Sequence, residues 1–252
     1  MRARELLCRP KPRECSVEGE LRGDVRLRWY YCFTPDYSWW DSQLREELGE
    51  HFDVRPVEIE PLVMHVGEGK HHFTGISKKL EVLQDCAFKS TGEWIVFSDC
   101  TLSIPPGKGA ELASYMISMA AQDREIVFAD NAIDSTANIG IIGMRCTKRV
   151  QLFWSKCLAR IGENSWDQHV VNQQLKRERR KRMVALPGID WGLFDPTRIV
   201  CGYEFDESNR SRCLVYKQFV YPSDAVSIWN QRMRALHACG FISDDTLNEQ
   251  QR

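Results

Sequence analysis

Trp94-Ile95-Val96-Phe97 is a run of four apolar residues closed by Ser98-Asp99. It is too short for a helix, and it is apolar on both faces that a strand presents. A strand of that kind has to be covered on both sides, which makes it a central strand of an α/β sheet. The segments around it fit the same architecture. Val25 to Phe33 and Phe52 to Ile59 read as strands, with a helix from about Ser38 to Leu48 between them. Ile76, Leu80, Leu83 and Ala87 recur at helical spacing and mark an amphipathic helix.

Further along, a helix is expected around Ala110 to Ala121, and strands at Glu125 to Phe128 and Ile139 to Met144. Thr147 has the position of an N-cap for a helix that repeats Val150, Phe153, Trp154, Cys157, Leu158 and Ile161. Another helix begins near Ser165, and a last one is expected from Ser223 to Gly240. Alternating strands and helices predict a Rossmann-like, mostly parallel sheet with helices on both faces. One domain over 25–242 is expected, with a charged arm at 1–24 and a tail at 243–252.

Composition narrows the function classes. The 34 Lys and Arg nearly cancel the 35 Asp and Glu over 252 residues, a formal net charge of −1. Such a balance does not suit a surface built as a whole to hold nucleic acid, and no nucleic-acid partner is expected. No run approaches the ~18 apolar residues of a membrane span, and the basic N-terminus has no apolar core behind it. A cytoplasmic location is therefore expected, unless the chain is part of a longer secretory-pathway enzyme. The ten cysteines include no Cys-x-x-Cys pair, which argues against a zinc module. Cys201 and Cys213 flank a polar stretch that would bring them together if it folded back as a hairpin, a pairing that needs an oxidising compartment.

In an open α/β sheet, ligands bind beyond the carboxyl ends of the strands, and Asp99 closes an apolar strand at such an end. The chain has no G-x-G-x-x-G and no Walker loop, and Gly107-Lys108-Gly109 reads as a turn. An acidic strand end without a phosphate loop points to a metal ion or a sugar hydroxyl. Lys79 lies at the edge of the apolar face of its helix, where it can reach a crevice, and Lys78 points away from that face.

The run Glu93 to Thr101 (EWIVFSDCT) resembles the strand and Asp-x-Asp motif of the nucleotide-diphospho-sugar transferases, the GT-A fold glycosyltransferases. Similar pieces follow in the same order: Glu125 to Asn131, Asn138 to Arg145, Phe153-Trp154, and Trp166 to Asn172. The resemblance spans about residues 26 to 235. It implies transfer of a sugar from a nucleotide-sugar donor, UDP-linked and with retention, to an acceptor hydroxyl on a glycan, a protein or a small molecule. It also implies a Mn²⁺ or Mg²⁺ ion bound by Asp99, placed to stabilise the leaving diphosphate.

By position, the resemblance gives Asn138, Asp167 and Gln168 to the sugar and acceptor side, with Gly140 beside Asn138. It places a donor-phosphate lysine at Lys79, counts Thr101 and Gly140 among the donor contacts, and brings Tyr31, Thr34 and Asp36 near the nucleotide base. The sequence departs from the motif at Thr101, a neutral hydroxyl where the second Asp would stand. His169, Asp130 and Asp134 are then the candidates for a further ligand. The alternatives are cationic side chains in place of the metal, or a degenerate member of the fold that binds a nucleotide-sugar or glycan without transfer. Ser165 to Gln168 has a competing reading as a capping box. The run Lys176 to Arg182 (KRERRKR) reads either as a solvated helix end or as a contact for an anionic partner.

Overall fold

The computed structural model describes residues 26–60, 63–67, 70–74, 76–131, 136–161, 166–202 and 211–218, with a few positions between 230 and 243. The expected arm, the tail, most of the helix expected at 223–240, and Asp134 lie outside the described residues. Six strands make the central sheet: β1 (Arg28–Phe33), β2 (Asp53–Glu58), β5 (Trp94–Asp99), β6 (Ile126–Asp130), β7 (Ala137–Arg145) and β8 (Trp191–Leu193). Their order is β2-β1-β5-β7-β6-β8. Only β7 runs against its neighbours, β5 and β6, so the sheet is mostly parallel, as expected.

β5 has the two-sided burial that its sequence demands. Ile95 and Phe97 enter a core with Leu80, Leu83 and Ala87 of α2 (Ile76–Lys89), Phe153 and Trp154 of α4 (Lys148–Leu158), and Val171 and Leu175 of α5 (Asp167–Met183). Trp94 and Val96 enter the opposite core with Leu44 and Leu48 of α1 (Ser38–Gly49) and Leu112 and Met116 of α3 (Gly109–Ala120). Thr147 caps α4 as expected, its hydroxyl accepting from Val150 N at 3.3 Å. Gly107 turns the chain into α3 at φ +75°, a conformation that glycine adopts without strain. Among the described residues, no helix is long and apolar enough to cross a membrane.

Two small sheets were not expected. β3 (Val63–Gly67) and β4 (Lys70–Thr74) pair antiparallel. β9 (Ile199–Gly202) and β10 (Val215–Gln218) pair in parallel, with Cys201 opposite Lys217. The parallel register answers the question left open for Cys201 and Cys213: the strands that carry and follow them do not form a hairpin, and Cys213 precedes β10, out of step with Cys201. Both are buried and neither is in a disulfide, and burial pushes the thiol of Cys201 up to about 12. Alkylation of the native protein followed by peptide mapping should leave both unmodified. Denaturation without reductant should expose both; protection that persists until a reductant is added would show a disulfide.

The basic run falls at the C-terminal end of α5, where cations favour the helix dipole. Its one acidic residue is structural. Glu178 is buried and accepts from Gln174 Nε2 at 2.6 Å, Lys181 Nζ at 2.7 Å and Ile189 N at 3.4 Å.

Candidate active site

β1 and β5 lie side by side, with Cys32 opposite Asp99. α1 leaves β1 over one face of the sheet, and α2 enters β5 from the other. The carboxyl ends of these two strands therefore form a topological switch point, the place where such sheets open a crevice. Asp99 stands at it with a side chain only 25% exposed.

Two lysines bracket this carboxylate. Lys79 Nζ lies 2.5 Å from Oδ1, and Lys217 Nζ lies 2.6 Å from Oδ2. Their side chains are 15% and 12% exposed. Burial alone would raise the Asp99 carboxyl, but Lys217 and Lys79 hold it at about 2. Burial pulls the Lys79 ammonium down, and the charges of Asp99 and Asp167 outweigh it, so its affinity for the proton is raised. Lys78, one residue earlier, pairs with Glu81 and has a half-exposed side chain, as the helical periodicity separates the two.

Lys217 reaches Asp99 across 118 residues of sequence by two devices. β10 is bridged to the segment just beyond β5: Ser103 N donates to Tyr216 O at 3.0 Å, and Tyr216 N to Ser103 O at 2.9 Å. The stem of Lys217 then passes over Gly140, where a β-carbon would overlap its Cδ and Cε. Gly140 thus leaves room for a lysine. Lys217 was not foreseen. The one hint in the sequence is a cation inside the β-rich run Leu214 to Gln218, and nothing there names its carboxylate.

Asp167 is the first residue of α5, behind an N-cap at Trp166 that makes no side-chain cap bond. Its Oδ1 accepts from Gln168 N at 2.7 Å, so this carboxylate caps its own helix. Burial raises its proton affinity, with Lys79 opposing. Ser165 lies outside the described residues. Asn172, one turn on, clamps the helix to the start of β7: it accepts from Ala137 N at 3.0 Å and donates to Ala137 O at 2.8 Å. The adjacent Asn138 is buried and folds back on its own strand, its Oδ1 accepting from Gly140 N at 2.7 Å. Asp99, Lys79 and Asp167 are therefore brought together, and Asn138 and Gly140 lie along the path of Lys217.

Other expected residues fall elsewhere. Tyr31 is fully buried, and its hydroxyl donates to Asp41 Oδ1 at 2.6 Å. That places it as a core side chain. Thr34 is buried at the entry to the 3-10 turn Pro35–Tyr37, where its carbonyl accepts from Tyr37 N at 2.8 Å. Asp36 sits in that turn, and its side chain lies outside the described residues. Thr101 is partly exposed just past β5, and His169 is exposed and meets Gln173. A groove lined by Arg26, Arg28, Arg45 and Glu93 opens at the opposite end of β1 and β5. Arg28 and Arg45 pair with Glu93 and Asp41, and Arg26 donates to Gly49 O.

A hard divalent ion wants about six oxygen ligands, carboxylates foremost. Here both oxygens of Asp99 meet ammonium groups, and the next position of the motif is Thr101. Among the described residues, no group of three or more His, Cys, Asp or Glu is arranged to hold a metal. The donor set does not fit such an ion.

No protein-family model matches the chain, and no curated protein does. Solved structures do. A glycosyltransferase involved in the glycosylation of the major capsid of PBCV-1 superposes with a TM-score of 0.56 at 15% identity, covering 82% of this chain and 100% of that one. The apo structure of WbbM, a bifunctional glycosyltransferase, gives 0.53 at 9% identity over 81% of this chain and 47% of that one. The fold expected from the resemblance is the fold observed.

Proposed function

We propose that this chain, which has the fold of GT-A glycosyltransferases, transfers a sugar from a nucleotide-diphospho-sugar to an acceptor hydroxyl at the carboxyl ends of β1 and β5. The observation that carries this reading is a partly buried carboxylate at the switch point, flanked by two ammoniums, in a sheet that superposes on two glycosyltransferases. A diphosphate leaving group needs cationic groups where its charge develops, and the two ammoniums at this strand end support the reading.

In the reaction, the acceptor oxygen bonds to the anomeric carbon as the bond from that carbon to the β-phosphate oxygen breaks. The electron pair departs with the nucleoside diphosphate, whose β-phosphate oxygen takes the acceptor's proton. With the acceptor on the face from which the diphosphate departs, this route needs no protein base and gives retention. A UDP-linked donor is the first to test. Asp167 and Gln168, at the start of α5 beside Lys79, face the sugar in this arrangement.

The test is release of nucleoside diphosphate from a panel of UDP- and GDP-sugars, with water and with simple glycosides as acceptors. Turnover with one donor is the expected result. Binding of a nucleotide-sugar without any turnover would replace transfer by recognition, the reading that Thr101 favours. Absence of both turnover and binding across the panel would overturn the proposal.

A further inference from the structure

We propose that the site holds the donor diphosphate without a divalent metal, with the Lys79 and Lys217 ammoniums standing where the cation would be and Asp99 aligning them. The inference rests on the glycosyltransferase reading and specifies how its donor is recognised. It follows from three independent placements.

The first is stoichiometric. An ammonium carries three N–H donors, and one from each lysine meets a different oxygen of Asp99. Four donors remain between the two lysines for the oxygens of a diphosphate. Asp99 need not leave for this to happen: it fixes the direction of both stems while phosphate takes the remaining N–H groups.

The second is steric. Lys217 is not a surface side chain that drifts to the nearest carboxylate. β10 is pinned beside the site by the Ser103–Tyr216 bridge, and the lysine stem fills the space left by the missing side chain of Gly140. A divalent ion at Asp99 would have to expel a lysine for which the fold has made a channel.

The third is chemical. Thr101 is a neutral hydroxyl, well suited to hydrogen-bond a phosphate and poorly suited to anchor a hard cation. Lys79 and Lys217 come from elements on opposite faces of the sheet, α2 and β10, so they approach Asp99 from two sides. A diphosphate lying across the ends of β1 and β5 would meet positive charge along its length.

The experiment is calorimetric titration of UDP, and separately of GDP, into the full chain in EDTA and again in Mn²⁺. It is repeated for Lys217→Met, Lys79→Met, Gly140→Ala, the double variant Gly140→Ala/Lys217→Met, and Lys78→Met as a control. Affinity within about twofold between EDTA and Mn²⁺ is expected. Lys217→Met and Lys79→Met should each weaken binding about 10- to 100-fold, the scale of a lost charged hydrogen bond. Gly140→Ala should weaken it comparably by pushing the lysine stem aside, and should add nothing once Lys217 is already methionine. Lys78→Met should change nothing.

Binding that appears only with Mn²⁺ would overturn this inference and leave the glycosyltransferase reading standing. No binding of either nucleotide under any condition would remove both. Additive losses from Gly140→Ala and Lys217→Met would break the link between the glycine and the lysine, and with it the steric argument. The comparison of EDTA with Mn²⁺ uses the unaltered protein, so a variant that fails to fold does not decide the outcome.

Discussion

Asp99→Asn should destabilise the protein by about 3 kcal/mol and weaken nucleotide binding, because the two ammoniums lose the carboxylate that aligns them, although it removes no atom from the core. Truncating one member of a buried ion pair leaves its partners uncompensated, which typically costs about 3–5 kcal/mol. Here two ammoniums are left, each less than one-sixth exposed, and the figure sits at the low end because Asp99 keeps a quarter of its exposure. In a chain of this size the melting temperature should fall by about 6–12 °C.

The pH dependence identifies the cause. Asp99 is held at about 2 in the folded protein, below the ordinary aspartate value of 3.8. A folded-state value below the unfolded one stabilises fully above about pH 4, and that contribution is lost as pH falls toward 2. The stability gap between the wild type and Asp99→Asn should therefore be flat from about pH 5 to 8 and close as acid is added. A gap that widens in acid would show that another group carries the effect. The triple variant Asp99→Asn/Lys79→Met/Lys217→Met should regain most of the stability, because replacing a whole buried ionic cluster is far cheaper than breaking it. It should regain no binding. Stability and recognition would then come apart in one series measured by thermal melts and calorimetry.

How much of this was legible before the fold was known differs from element to element. β5 was legible because four apolar residues in a row admit few alternatives, and α2 and α4 because their apolar residues recur along one stripe. The separation of Lys79 from Lys78 followed from the same arithmetic. What the residues alone did not carry was pairing across long distances. β9 and β10 are four residues each, too short for a pattern to declare itself, and their parallel register decided a pairing of Cys201 and Cys213 that the residues left open. Lys217 belongs to this class. Its role depends on a bridge to Ser103 and a gap at Gly140, and neither is local to it.

Asn138 and Asp167 show the opposite limit. Their types and spacing were conspicuous, yet each spends an oxygen on a backbone amide nearby, Gly140 N and Gln168 N. Short polar side chains make such local bonds wherever a strand or helix begins. Sequence patterns alone do not separate that use from a contact with substrate. The clamp of Asn172 on Ala137 shows why a whole motif can matter when no single residue in it touches a ligand: it ties the start of α5 to β7, and so Asp167 to the strand that carries Gly140.

Phe97→Ala should cost about 3–5 kcal/mol, and Phe88→Ala, on α2, within about 0.5 kcal/mol of nothing. The two residues are of the same type and differ in what surrounds them. Phe97 is fully buried in the middle of β5, opposite Ile142 on one side and Tyr30 on the other, and its ring lies in the core beneath α2, α4 and α5. Phe88 is 51% exposed near the end of its helix. Removing the Phe97 ring opens a cavity in a layer closed on one side by the sheet itself, so little can collapse into it. The melting temperature should drop by about 6–20 °C. The consequence for function separates the strand from the site. Asp99 is held by its lysines and by the pairing of β1 with β5, none of which involves the ring, so the folded Phe97→Ala protein, assayed well below its melting point, should bind nucleotide within a few-fold of the wild type. A loss of binding as large as that of Asp99→Asn while the protein is still folded would show that the ring sets the position of the carboxylate. β5 would then have to be treated as part of the recognition machinery along its whole length.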